Sequence, residues 1–315
     1  MYVSSCPLRV SLFGGSTDNP YFVDKHGYGA VISFTCDLKT YVTISQDKFG
    51  FNKDRHKYII NYSKREEVSS VGEIQNEVVR VVLEHFDMPP VQVTLTSDAY
   101  SQGSGLASSS SYLISLIKCA TMFKGISMTD VEICSLAYEL ERKFNPYCGY
   151  QDPYGCGIGG FKRIEFQRGG IVKYDFQSAE LFNNYDMHLV FTGVTRNSKK
   201  ILKDVSGNLE KIPQLLEVLE KSYDLLGAKK YDEFLKLINV GWEKKKETSS
   251  MISENPLIKE IDDHLLNNPL VIAHKLCGAG NGGFFLTFSE KGKLTLPYSS
   301  VKINVSPDGV KGKKL

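Results

Sequence analysis

One loop constrains this chain more than any other feature. It begins after an alternating strand in which Val91, Val93 and Leu95 are set against Gln92, Thr94 and Thr96. It ends at a helix with the apolar stripe Leu113, Leu116, Ile117, Ala120 and Phe123. Between them runs Gly103-Ser104-Gly105-Leu106-Ala107-Ser108-Ser109-Ser110-Ser111. Strand, glycine-rich loop and helix in that order leave free backbone N–H groups at a helix start, where the dipole favours an anion. Glycines let a phosphate approach the backbone, and serine hydroxyls add donors or reach a Mg²⁺ ion. Four serines in a row exceed what one helix cap needs. The loop lacks the lysine of a Walker A motif and the Gly-x-Ser-x-Gly of a hydrolase elbow, so neither chemistry is expected.

Around it the chain alternates between strand and helix patterns. Leu8, Val10 and Leu12 alternate with Arg9 and Ser11, and residues 30–34, 40–44 and 58–62 are rich in β-branched and aromatic side chains. Ile74, Val78, Val81, Val82 and Phe86 fall at helical spacing. A further helix is expected from about Asp130, with Ile133, Ala137, Leu140 and Phe144 on one face. Thr129 or Asp130 caps it and Asn145-Pro146 ends it. Residues 155–160 read as a tight, close-packed turn before strands at 161–166 and 171–176. The second half reads as a strand at 187–191 and amphipathic helices near 212–226, 231–246 and 257–266. A strand at 271–276, a Gly-rich loop at 278–283 and a strand at 284–288 follow. A boundary near 183–184 gives an N-terminal unit of 1–183 and a C-terminal unit of 184–315.

The 315 residues carry a formal charge of +2, with 42% hydrophobic and 23% charged residues, which describes an ordinary globular protein. That balance argues against a dedicated nucleic-acid binder, and no apolar run is long enough for a membrane span. The seven cysteines are scattered with no Cys-x-x-Cys pair, and the first residues do not read as a secretory signal, so a cytoplasmic protein is expected. No His-Glu-x-x-His or other zinc pattern occurs. Gly-x-Gly-x-x-Gly appears at Gly155-Gly157-Gly160 and at Gly278-Gly280-Gly283. Both precede strands rather than helices, which excludes the dinucleotide reading. Lys244-Lys245-Lys246, between Glu243 and Glu247, reads as a solvated helix face; Lys311, Lys313 and Lys314 read as a frayed tail; Trp242 reads as packing. Glu141 and Asp152 stand eleven residues apart, a spacing from which one carboxylate could bind metal while the other takes a proton.

Three segments together carry a resemblance. Pro7-Leu8-Arg9-Val10-Ser11-Leu12-Phe13-Gly14-Gly15-Ser16-Thr17-Asp18 resembles the first motif of the GHMP kinases. Gly105-Leu106-Ala107-Ser108-Ser109-Ser110 resembles their phosphate loop, and Lys275-Leu276-Cys277-Gly278-Ala279-Gly280-Asn281-Gly282-Gly283 their third motif. The three stand in the family order and span nearly the whole chain. Within the family, Gly14-Gly15-Ser16-Thr17-Asp18, Gln151-Asp152-Pro153-Tyr154 and Thr192-Gly193-Val194-Thr195-Arg196 are similar to the D-glycero-D-manno-heptose 7-phosphate kinases. One position departs from the pattern: Ala107 stands where the family usually has glycine. Its methyl group is expected either to crowd the nucleotide or to shift the backbone angle.

The resemblance implies a two-domain α+β fold, a mixed-sheet N-terminal domain packed on a ferredoxin-like C-terminal domain. It implies an ATP-dependent sugar kinase that phosphorylates the anomeric hydroxyl of a heptose 7-phosphate. The other readings are a fucose- or galactose-type kinase, or a non-catalytic sugar and ATP sensor. By the same resemblance Gly103, Ser104, Gly105, Leu106, Ala107, Ser108, Ser109 and Ser110 hold the nucleotide, and Ser109 and Glu141 hold Mg²⁺. Asp152 is the carboxylate that takes the acceptor proton, and Arg9 stabilises developing charge. Thr17, Asp18, Gln151, Arg196, Gly278, Ala279 and Gly280 are the expected acceptor-side residues, Arg196 for a distal phosphate. The expected partner is a small phosphorylated sugar, with no nucleic acid and no membrane, and the chain is expected to be a monomer or homodimer.

Overall fold

The structure, a computed structural model, describes residues 1–47, 56–99, 103–195 and 198–315. Arg196 lies outside the described residues. The chain opens with β1 (Tyr2–Phe13), in which Leu8, Val10 and Leu12 are buried. A tight turn leads into α1 (Pro20–His26), which the sequence reading missed. Its signals are present: Asn19 accepts from the Tyr21 N–H as N-cap, and Pro20 occupies the first helical position. Then come β2 (Tyr28–Ser45), β3 (Tyr58–Asn61), β4 (Arg65–Val68), α2 (Glu77–His85) and β5 (Gln92–Ser97). Three helices follow: α3 (Ser108–Lys124), α4 (Asp130–Arg142) and α5 (Gln151–Gly157). β6 (Phe161–Gln167) and β7 (Ile171–Phe176) form a hairpin.

β2 is the spine of the larger sheet. It pairs antiparallel with β1 on one side; on the other, its first half takes β6 and its second half takes β5. α3 lies across β1 and β2, burying Leu113, Ile114, Leu116 and Ile117 against Val42, Ile44 and Val93. Residues 155–160 are not one turn. Gly155 and Gly157 lie inside α5, where the packing is close: a Cβ on Gly155 would stand 3.1 Å from the Arg9 side chain, and one on Gly157 2.3 Å from the Cys134 sulfur.

The second sheet starts with β8 (Tyr185–Phe191). Four helices follow, α6 (Ser198–Ser206), α7 (Pro213–Gly227), α8 (Tyr231–Glu247) and α9 (Pro256–Asn267), of which α6 was not read from the sequence. Its strands are completed by β9 (Ala273–Leu276), β10 (Phe284–Glu290) and β11 (Ser300–Ile303). All pairs are antiparallel, in the order β11-β8-β10-β9. That is the strand order of a ferredoxin-like sheet, but residues 291–299 join β10 to β11 by a short loop instead of a helix. The last strand, β12 (Lys311–Lys314), returns to the larger sheet and pairs with β1. The basic end is therefore not frayed. Val310 is buried ahead of it, and Gly312 sits so near α3 that a Cβ would be 2.6 Å from the Met122 side chain. One apolar cluster joins both sheets, with Leu8, Val10 and Leu12 packed among Met187, Leu189, Phe234 and Leu286.

Candidate active site

The three motifs meet around a cleft of about 680 Å³. Its lining includes Arg9, Asp18, the loop from Gly103 to Ser110 apart from Leu106, Glu141, Gln151, Asp152, Gly278 and Ala279. Leu106 is fully buried behind the loop. Gly280 is not among the lining residues; a Cβ there would meet the Ile252 backbone at 2.8 Å, so it serves packing.

At the floor lies an ion pair between β1 and α5. The β1–β2 register shifts between Pro7 and Arg9, a bulge of the kind that re-aims a side chain. Arg9 is 2% exposed, and its guanidinium donates twice to Asp152 Oδ1, at 3.1 and 2.5 Å, and once to the Gly105 carbonyl at 2.9 Å. Burial alone would weaken the guanidinium as a base; the charge and hydrogen bonds of Asp152, with Cys156 and Cys277 nearby, together outweigh that and hold Arg9 cationic. One side chain thereby ties the carboxylate to the phosphate loop.

The loop itself is built on left-handed backbone. Gly103, Gly105 and Ala107 have φ of 68°, 81° and 60°. Ala107 is the N-cap of α3 with no side-chain cap, so the first N–H groups of the helix face the cleft with its positive dipole end. Ala107 also packs with the core cluster of α3, so the departure from glycine shows itself first as backbone strain. Ser104 and Ser108 share a hydrogen bond of 2.8 Å that braces the loop.

Asp18 and Gln151 form a second polar pair. Asp18 accepts from the Ser16 N–H at 3.0 Å, the Gln151 N–H at 3.0 Å and Gln151 Nε2 at 2.9 Å. Burial pushes its carboxyl up to about 6, and the nearby Asp152 adds to this. Gly149 permits the approach, since a Cβ would stand 1.9 Å from Asp18 Oδ2. Gln151 Oε1 is buried without a partner among the described residues. Thr17 does not face the cleft. It is fully buried, and its hydroxyl bonds the Gly14 and Ala30 carbonyls and the Ala30 N–H, so it fixes the turn that presents Asp18.

Glu141, 4% exposed at the end of α4, accepts a short hydrogen bond of 2.5 Å from Ser110. Burial raises its carboxyl to about 7, with Asp152 adding and Ser110 and Arg9 opposing. Ser109, expected beside it, is exposed and lines the same cleft. These are hard oxygen donors, which suits Mg²⁺. No cluster of three or more His, Cys, Asp or Glu occurs among the described residues, so phosphate oxygens and water would complete the shell.

The third motif closes the site from the second sheet. Lys275 on β9 is buried and donates to the Leu12 carbonyl at 2.7 Å. Burial, with help from Lys245 and Arg9, lowers its ammonium to about 7. Gly283 packs directly on the phosphate loop.

Residues 73–160 match the family model for the GHMP kinases N terminal domain, a span that holds the phosphate loop, Glu141 and Asp152. The chain is 26% identical over 304 residues to the D-glycero-alpha-D-manno-heptose 7-phosphate kinase of Campylobacter jejuni subsp. jejuni serotype O:2, covering 91% of this chain and 89% of that one. It is 23% identical to a mevalonate kinase of Thermococcus sibiricus over 309 residues, 89% of this chain and 87% of that protein. A crystal structure titled a D-glycero-D-manno-heptose 1-phosphate kinase from Bacteroides thetaiotaomicron superposes with a TM-score of 0.77 at 22% identity, over 100% of this chain and 99% of that one.

The chain carries a GHMP kinase N-terminal domain and is similar to GHMP kinases along nearly its whole length. It is an ATP-dependent phosphotransferase with an alcohol group as acceptor. One cleft residue, Lys245, was misread from the sequence. Lys245 is not part of a solvated face. Lys244 and Lys246 do pair with neighbouring acids, but Lys245 lines the cleft and donates to the Gly278 carbonyl at 2.5 Å. Helical spacing held the signal, because Lys245 falls three residues after buried Trp242 and seven after buried Ile238. Ser110 was placed on the nucleotide, and only the rotation of α3 shows that its hydroxyl meets Glu141. No helix among the described residues is long and apolar enough to cross a membrane.

Proposed function

We propose that this kinase transfers the γ-phosphate of ATP to the anomeric hydroxyl of D-glycero-D-manno-heptose 7-phosphate, giving the 1,7-bisphosphate for nucleotide-activated heptose synthesis. The observation that carries the reading is the position of the Arg9–Asp152 pair, tied to the phosphate loop through Gly105 and adjoining Gln151 and Asp18. A carboxylate between a phosphate cradle and a buried polar pocket suits transfer to a hydroxyl. Asp152 takes the hydroxyl proton as the sugar oxygen bonds to the γ-phosphorus and the bond from phosphorus to the bridging oxygen of ADP breaks. Arg9 orients that carboxylate and offsets negative charge. The first N–H groups of α3 and the loop glycines hold the triphosphate.

On the acceptor side, Asp18 accepts from sugar hydroxyls, and the unpartnered Gln151 Oε1 takes a further hydroxyl hydrogen. Glu141 with Ser109 would hold Mg²⁺, which supplies charge neutralisation on the phosphates, and Ser110 orients Glu141. Residues 1–183, joined in their sheet by β12, then form the unit with the loop and carboxylates, and the rest of 184–315 the unit with the third motif.

The heptose assignment draws support from the Campylobacter jejuni relative, named for heptose 7-phosphate, and from the crystal structure titled for heptose 1-phosphate. The two names put the existing phosphate at different ends, and one assay separates them. ADP release is scored on free heptose, its 1- and 7-phosphates, fucose and galactose, with reducing sugar measured in parallel. Heptose 7-phosphate should give the highest kcat/KM, with reducing ends lost one for one with ADP. ADP formed while reducing ends persist, or a preference for the 1-phosphate, would contradict anomeric transfer. ATP and sugar binding with no ADP under any acceptor would mark a sensor.

A further inference from the structure

The hairpin strand β7 is an outer edge of the larger sheet; among the described residues it pairs only with β6. Edge strands are commonly protected by being short, charged, bulged or covered. β7 instead shows large apolar groups to solvent, with Ile171 53%, Tyr174 43% and Phe176 59% exposed. Val172, Tyr174 and Phe176 share one face, opposite Phe166, Ile164 and Lys162 of β6. Val172 packs on the cluster of Tyr150 and Phe166, and the Tyr174 and Phe176 rings meet edge-on at 5.6 Å. The other face carries Lys173 opposite Glu165 and Asp175 opposite Arg163.

We propose that β7 is a homodimer edge: a second copy of this chain adds its own β7 antiparallel, with the two-fold axis at Tyr174. The register follows from parity and charge. An axis between two residues would set the apolar face of one copy beside the polar face of the other, because paired residues share a face and neighbours do not. An axis on a residue keeps both apolar faces together. Centred on Lys173 it opposes two lysines, and centred on Asp175 it opposes two aspartates. Centred on Tyr174 it sets Lys173 against Asp175 of the second copy, twice by symmetry, and Val172 against Phe176 of the second copy. It also overlaps residues 172–176 of the strand. Opposite charges in direct cross-strand register stabilise and like charges oppose pairing, so the strand's own charges select one arrangement with itself.

The test is a charge-swap cycle on the full chain, read by sedimentation equilibrium. Wild type should dimerise. Lys173→Asp and Asp175→Lys each make two like-charge pairs and should weaken the dimer about tenfold or more. The double swap should return to within about threefold of wild type. ADP release by each variant checks folding, since no β7 residue lines the cleft. A second readout does not depend on affinity. All seven native cysteines are buried. Tyr174→Cys therefore adds a surface thiol that meets its own copy at the axis, where residues directly paired lie about 4.5–5.5 Å apart at Cα, within disulfide reach. It should cross-link to a dimer under mild oxidation, and Lys230→Cys should not. A wild type that stays monomeric at tens of micromolar, single swaps without effect, a double as weak as the singles, or no cross-link at 174 would each overturn the proposal.

Discussion

Gly283 rests its α-carbon against the Ser104 carbonyl: a Cβ there would stand 2.3 Å from that oxygen and 2.9 Å from the Gly103 carbonyl, at a φ of +95°. The third motif therefore supports the phosphate loop from behind through bare backbone. Gly283→Ala should force the loop forward, raising the KM for ATP by about tenfold or more while changing the acceptor KM less, and should lower stability by ~1–3 kcal/mol. An unchanged ATP KM, with an unchanged melting temperature, would show that the loop is set by other contacts.

Ala107 is the converse case, a methyl group where backbone at φ 60° suits glycine. Ala107→Gly should relieve ~1 kcal/mol of left-handed strain and lose a similar amount through unfolded-state freedom and core contact. Stability should stay within about 1 kcal/mol and the ATP KM within about twofold. Ala107→Val should be markedly less stable, because a β-branched residue adopts this conformation poorly. A large fall in ATP affinity in the glycine variant would mean that the methyl itself shapes the nucleotide site.

For the reaction step, Asp152→Asn should leave MgATP binding nearly intact and cut kcat by about 10²–10⁴-fold. Arg9→Lys keeps the charge but loses the fork that grips Asp152 and Gly105, so kcat should fall although the net charge does not change. Equilibrium ATP binding and single-turnover rates separate the two effects; half of wild-type turnover in Asp152→Asn would remove that carboxylate from proton transfer.

Acceptor binding should report on Asp18. Its carboxyl is raised to about 6, so it is an acceptor-only carboxylate above that pH and protonated below it. The acceptor KM should therefore rise about tenfold per unit as pH falls below 6, and Asp18→Asn should abolish that limb. A pH-independent KM across 5 to 7 in wild type would place sugar recognition elsewhere.

Metal dependence distinguishes the two serines. Ser109→Ala and Glu141→Gln should raise the Mg²⁺ needed for half-maximal rate by roughly three- to tenfold, each removing an oxygen donor. Ser110→Ala removes the donor that positions Glu141 and should give a smaller rise in the same direction. Unchanged Mg²⁺ curves in all three would rule out this end of α4 as the metal site.

Local pattern alone was enough for much of this protein. Alternation in β1 and β5, the 3.6-residue stripe of α3, a cap for α4 at Thr129 or Asp130 and the glycine-serine loop are all short-range features, so they stood in the sequence. Arg9 and Asp18 could be picked out because three separated motifs resemble one family, Gln151 and Asp152 because a further segment resembles one branch of it, and Glu141 by its spacing from Asp152. What the sequence did not determine was which of these groups touch. Arg9 and Asp152 are 143 positions apart and meet because α5 packs closely on β1, with Gly155 at the contact with Arg9. Thr17 turned inward to the Ala30 strand while its neighbour Asp18 turned to Gln151, a choice made by one tight turn. Ser110 rather than Ser109 reaches Glu141 because about 100° of helical rotation separates successive residues. Lys311 to Lys314, a basic tail by composition, became a strand because β1 offered an unpaired edge and the buried Val310 anchored the approach. Side-chain type is local and can be read along the chain, whereas contact depends on how distant elements pack, and that is decided by the burial of surface no single segment can cover alone.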